Sequence, residues 1–180
     1  MNNLKFIISI FILIGISSCD SSQSLQEYIV DKQQDNSFIS IDIPSSILTL
    51  KDENTSDETL KAIKSIKKFN FLGMQLTEEN KEAYIVEKQA IKDIISNKKF
   101  KEIFRVKTGN SEVTVKYLGE EDNIDEVVFF GADSEKGLAL VRVIGDNMNP
   151  AEMVQLLNKI NVDKDSNEFK SLSSIFDKIK

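Results

Sequence analysis

Two stretches in the second half of the chain constrain its fold most, Glu126-Val-Val-Phe-Phe-Gly131 and Leu138-Ala-Leu-Val-Arg-Val-Ile144. Successive residues of a β-strand point to opposite faces, so a strand with one wet face alternates apolar and polar positions. From Val127 to Phe130 and from Leu138 to Ile144 that alternation is missing, and the runs are rich in β-branched, aromatic and aliphatic residues on both faces. Such strands need cover on both sides, from helices or from another subunit. The other use for them is a groove or interface for a partner or a lipid. The helices readable elsewhere in the chain favour a central strand pair covered within the domain.

The surrounding pattern supplies the rest of the sheet and its helices. Phe100 to Lys107 reads as a short strand and Gly109-Asn110 as a turn, while Glu112 to Leu118 alternates with Val113, Val115 and Tyr117 on one side. Together with the two apolar runs this is an antiparallel meander. Earlier, Ser37 to Ile43 has a period of two and stops at Pro44, and Phe69 to Leu76 is a further strand candidate. Ser24-Leu-Gln-Glu27 is a capping-box pattern opening a helix to about Gln34. Thr55-Ser-Asp-Glu58 opens another to about Lys68, and Glu78 to Asn97 presents Tyr84, Ile91, Ile94 and Ile95 on one side. In Asn149-Pro-Ala-Glu152 an N-cap precedes proline at the first helical position, and Met153, Leu156, Leu157 and Ile160 would pack that helix on the sheet. A weaker apolar pattern from Phe169 to Ile179 marks a last short helix. The fold class expected is α+β: a single two-layer domain in which helices pack on an antiparallel sheet of about 4–5 strands, with the meander in the second half. Its bounds are read as residues 24–160, followed by a tail over 161–180.

Composition narrows the chemistry. The 180 residues carry a net charge of −6, which argues against a non-specific nucleic-acid binder. There is no histidine, so the usual general base near neutral pH and the commonest metal ligand are missing, and Ser-His-Asp or Cys-His nucleophile systems cannot be assembled within the chain. The single cysteine excludes an internal disulfide, a CxxC redox pair and a thiolate zinc cluster.

That cysteine ends an export pattern. Met1 to Lys5 is a short polar start with one positive charge, Phe6 to Ile14 is an uncharged run of nine apolar or small residues, and Gly15-Ile-Ser-Ser-Cys19 follows. This is the layout of a secretory signal, too short to cross a bilayer as a mature helix of about 20 apolar residues. Ile16-Ser-Ser-Cys19 resembles the lipobox of bacterial lipoproteins. The resemblance implies a signal peptide over 1–18, cleavage between Ser18 and Cys19, and diacylglycerol and a further acyl chain such as palmitate on Cys19. Each buried methylene contributes about 0.8 kcal/mol, so two or three chains hold a protein essentially permanently. The expectation is a lipidated tether over 19–23, with the domain lipid-anchored in the cell envelope and facing the periplasm.

The lipobox, the helix leading into Phe38-Ile-Ser-Ile41, Glu126-Val-Val-Phe-Phe-Gly131, and Ala139-Leu-Val-Arg-Val-Ile-Gly-Asp146 before a capped helix together resemble a family of bacterial lipoproteins described only as domain of unknown function 4252. The likeness extends over nearly all of the mature chain. Its motifs are structural, so it implies a fold and no activity, cofactor or catalytic residue.

Three patterns touch on catalysis or metal binding. Ser65-Ile-Lys-Lys68, Ser96-Asn-Lys-Lys99 and Lys107-Thr-Gly109 spell the S-x-x-K and K-T-G of penicillin-binding enzymes, but the serines sit at helix ends rather than opening a core helix. Asp163 to Asn167 begins like a calcium loop, yet Glu168 and Ser174 stand where that loop needs glycine and glutamate. Glu120-Glu-Asp122 with Asp125 and Glu126 reads as a solvated hairpin loop in preference to a weak cation site. Pairs among 29 acidic residues are unavoidable, and without tryptophan a glycosidase cleft gains no support. No catalytic, cofactor or metal residue is therefore assigned. The reading is a membrane-anchored, non-enzymatic binding or scaffold module whose partners are membrane lipid, through acylated Cys19, and an envelope protein or small ligand. The alternatives are an envelope hydrolase using carboxylates or Ser-Lys, and a carrier of a small apolar ligand.

Overall fold

The computed structural model describes residues 23–50, 56–149 and 160–162. The chain order is α1 (Leu25–Lys32), β1 (Ile39–Pro44), a 3-10 turn (Ser45–Ile47), β2 (Leu48–Leu50), α2 (Asp57–Ser65), β3 (Ile66–Gln75) and α3 (Lys81–Ser96). There follow β4 (Lys101–Thr108), β5 (Ser111–Glu120), β6 (Asn123–Asp133), β7 (Gly137–Met148) and β8 (Ile160–Val162). Six strands form one sheet in the order β1-β3-β7-β6-β5-β4, antiparallel throughout, and β2 pairs with β8. The α+β class and the meander β4 to β7 agree with the sequence reading. The sheet has one strand more than the upper end of that reading, because β1, β3 and the meander all join one ladder, and it is not simply two-layered, because α2 packs on the face opposite α1 and α3.

Two further differences have physical causes. The second helix stops at Ser65, and Ile66 opens β3 opposite Gly145 of β7 instead of closing a helix at Lys68. Ladder pairing with β7 outweighs a weak local preference there. Ile160 was expected on a helix and instead starts β8, opposite Leu50. Strands as short as β2 and β8 carry too few residues to show a period. The helix expected from Pro150, apart from Ile160, the last helix over 169–179, and Ser18 and Cys19 lie outside the described residues.

β6 and β7 take the middle of the sheet, as their apolar character on both faces requires. On one face Leu72, Val128, Phe130 and Leu140 are buried beneath α1 and α3, which contribute Leu25, Tyr28, Ile29, Tyr84, Ile91 and Ile95. The register aligns a second apolar row on the opposite face: Ile41, Phe71, Val141, Phe129, Val115 and Phe104. There Ala62 and Ile63 of α2 cover one end, packed with Ile66, Ile124 and Met148. Toward the β4 edge the row comes into solvent, with Phe104 47% and Val106 52% exposed.

Helix α1 is fixed at its start by the capping box foreseen in the sequence: Ser24 accepts from the Glu27 amide at 3.2 Å and Glu27 accepts from the Ser24 amide at 2.8 Å. Glu87 of α3 then ties the two helices together, accepting from the Tyr28 hydroxyl at 2.7 Å and from Lys32 at 2.5 Å. Burial, followed by the hydrogen bond to Glu87, pushes the Tyr28 phenol well above its ordinary range.

Candidate functional site

Where α1 and the end of α3 diverge over the sheet they leave a cavity of about 560 Å3. Leu25, Ile94, Phe100 and Leu118 supply its apolar walls. Two charged residues reach it from the sheet, Glu126 of β6 and Arg142 of β7. Glu126 is only 5% exposed, and the Arg142 side chain only 12%. Charged side chains are rarely buried this far unless paired, and here the Arg142 guanidinium donates to Glu126 Oε2 at 2.6 Å. Its other terminal nitrogen donates to Gln26 Oε1 on α1, so the arginine links sheet and helix.

The pairing is incomplete. Glu126 Oε1 and Arg142 Nε are both buried without a hydrogen-bond partner among the described residues. An unmade hydrogen bond at a buried polar atom costs about 1–3 kcal/mol. Both atoms are enclosed, so it is other atoms of the two side chains that face the cavity.

A β-bulge puts Glu126 in place. Leu118 pairs with Glu126 while Gly119 pairs with Ile124, so Asp125 is the extra residue on β6. Strict alternation would point Ile124 and Glu126 to the same face. With the bulge, Ile124 enters the core under α2 and Glu126 lines the cavity on the opposite face. Gly119 carries φ +116, and a Cβ there would lie 2.6 Å from the Asn123 carbonyl oxygen. Only glycine accepts that conformation readily.

The patterns singled out in the sequence are scattered. Ser65 closes α2 and donates its hydroxyl to the Ala62 carbonyl at 2.7 Å. Ser96 and Lys99 do reach the cavity rim, but the Ser96 hydroxyl donates to the Asp93 carbonyl at 2.7 Å. Lys107-Thr-Gly109 lies at the far end of β4, roughly 25 Å of strand away at about 3.3 Å per residue, so S-x-x-K and K-T-G do not converge. In the acidic stretch Glu120 pairs with Lys101 at 3.2 Å while Glu126 turns inward, and no group of three metal-capable side chains occurs among the described residues. The calcium-like stretch from Asp163 lies outside them. The sequence reading missed the Glu126–Arg142 pair. Its signal was Arg142, one of two arginines in the chain, set inside an otherwise apolar strand.

A second hollow, of about 640 Å3, lies on the other face, where Gly73, Ala139 and Gly131 stand in register on β3, β7 and β6. Its margin includes Glu112, which Lys88 and Lys92 already neutralise at 3.0 and 2.6 Å. The first cavity is therefore the better candidate.

A family model described as a domain of unknown function, DUF4252, matches residues 32–156. The matched span contains Glu126 and Arg142 and leaves Gln26 outside. No curated protein and no solved structure matches the chain.

Proposed function

The chain belongs to the DUF4252 family, and from that premise we propose that it is an envelope lipoprotein whose domain binds a small polar group in the Glu126–Arg142 cavity without transforming it. The observation that carries this reading is the buried Glu126–Arg142 ion pair among the residues lining a cavity of about 560 Å3. Ligand sites are concave, largely apolar hollows of about 300–1,000 Å3 with a few fixed polar groups. The buried charges weigh against the apolar-ligand carrier, because an ion pair in the lining is a poor neighbour for an apolar occupant.

The lipid anchor supports an envelope role. Gln23 lies on the cavity rim, four residues after Cys19, and four residues span at most about 14 Å. Lipid on Cys19 would hold the cavity close to a membrane surface. Ser96 and Lys99 at the same rim are where a Ser-Lys hydrolase would have to operate, and the Ser96 hydroxyl is committed to a backbone carbonyl. The test is a ligand titration of the full-length mature protein in detergent, followed through the amide resonances of β6 and β7. Small polar solutes should shift residues around Glu126 and Arg142 saturably, and Ser96→Ala should leave those shifts unchanged. Turnover of an envelope substrate that Ser96→Ala abolishes would replace binding with hydrolysis.

A further inference from the structure

The six-stranded sheet has two edges, and they complement each other. β1 and β4 end the strand order, and each pairs on one side only among the described residues. Such an edge presents a row of unpaired amides and carbonyls, a template for another strand. Residues 102–108 of β4 are exposed, with Phe104 and Val106 on one face. At the other edge Ile39, Ile41 and Ile43 share that face, because the register runs from Ile41 through Phe71, Val141, Phe129 and Val115 to Phe104.

Charge decides which edges fit. β4 carries Lys101, Arg105 and Lys107 against Glu102, whereas the one charged residue of β1 is Asp42. Two β4 edges, or two β1 edges, would set like charges against each other, which destabilises a strand pair. A β4 edge against a β1 edge brings Arg105 to Asp42 instead. Arg105 is otherwise held by Glu102 at 2.8 Å in an exposed pair, and such pairs contribute little. Asp42 is exposed and accepts from the Asn70 side-chain amide.

Direction and register agree with this match. Six antiparallel strands leave β1 and β4 running opposite ways, so a second copy added along the strand order meets β4 antiparallel. With Arg105 opposite Asp42 of that copy, Phe104, Val106 and Thr108 face its Ile43, Ile41 and Ile39, and Lys107 faces its Ser40. Pro44, which has no N–H to donate, then falls opposite Ile103, the extra residue of the bulge in β4. The two irregularities that would interrupt a ladder coincide, and Phe104–Thr108 pairs with Ile39–Ile43 without a break.

We propose that this protein pairs head to tail with a second copy of itself, β4 of one against β1 of the next, so that the sheet continues across the contact. The two surfaces differ, so the contact is heterologous and leaves a free edge at each end for further copies. It is independent of the cavity. The test is sedimentation velocity on the full mature chain carrying Cys19→Ser, over a series of concentrations. The mass should rise with concentration and pass that of a dimer. Arg105→Asp and Asp42→Arg, each alone, should weaken association at least about tenfold, one 1.4 kcal/mol step. An equal mixture of the two should restore it, because each variant then meets the opposite charge on its neighbour. Asp42→Asn keeps an acceptor for Asn70, and it should weaken association in the same direction with the circular dichroism spectrum unchanged. A chain that stays monomeric at every concentration would overturn the proposal, as would folded variants whose mixture does not recover. Association that ignores Asp42 and stops at a dimer would also overturn it and assign the contact to two β4 edges.

Discussion

Glu126 and Arg142 set the energetics at the scale of single residues. Each is buried on a strand, and the charge of each is tolerated because the other neutralises it at 2.6 Å. Removing one partner strands the other, which costs about 3–5 kcal/mol, whereas replacing both by apolar side chains of similar volume is often neutral. Arg142→Met should therefore lower the unfolding free energy by about 3–5 kcal/mol in a urea titration of the mature protein. The double variant Glu126→Leu with Arg142→Met should recover most of that loss while abolishing ligand-induced shifts. If the double variant is no more stable than the single one, the pair is not acting as a unit. Arg142 also holds Gln26, so the single variant removes one polar link between β7 and α1 as well.

At the scale of elements, a bulge and an ion triad determine how the sheet meets its helices. The bulge at Asp125 requires Gly119 to hold φ +116. Gly119→Ala should cost about 1–3 kcal/mol, measured as a fall in Tm, and should displace the Glu126 amide resonance more than those near Leu140. A wild-type Tm would mean that the bulge relaxes freely. On the other flank Glu112 of β5 receives Lys88 and Lys92 from α3. Burial would raise its carboxyl pKa, but the hydrogen bonds from Lys92 and Lys88 outweigh it and hold the value below the ordinary 4.5. A pKa lower in the folded than in the unfolded state stabilises the fold above the unfolded value, and that contribution disappears as pH falls through the folded one. Glu112→Gln should thus cost about 1 kcal/mol at pH 7 and almost nothing once wild-type Glu112 is itself protonated. Chemical denaturation across the acid range reads this difference, and a penalty that persists in strong acid would assign the role of Glu112 to packing.

At the scale of the whole molecule, one six-stranded sheet buries one face under α1 and α3 and the other partly under α2, with the β4 end of the second face exposed. The lipid anchor belongs to this scale, because it would set where the whole domain resides. Cys19→Ser should move the protein from the membrane to the soluble fraction of the envelope, and continued partitioning with membranes would refute anchoring through that thiol. The α+β class, the meander, the capping box at Ser24 and the central position of β6 and β7 were legible in the sequence. All of them follow from local hydrogen bonding or from the period with which apolar residues recur, and both are written into neighbouring residues. The site was not legible in this way. Glu126 looked like one more acid beside a hairpin, and Arg142 was passed over inside an apolar run. Their contact joins two strands, depends on a one-residue bulge that breaks the alternation, and faces a cavity between helices distant in sequence. Tertiary structure decided it, because register and bulge position come from the pairing of whole strands and not from any one of them.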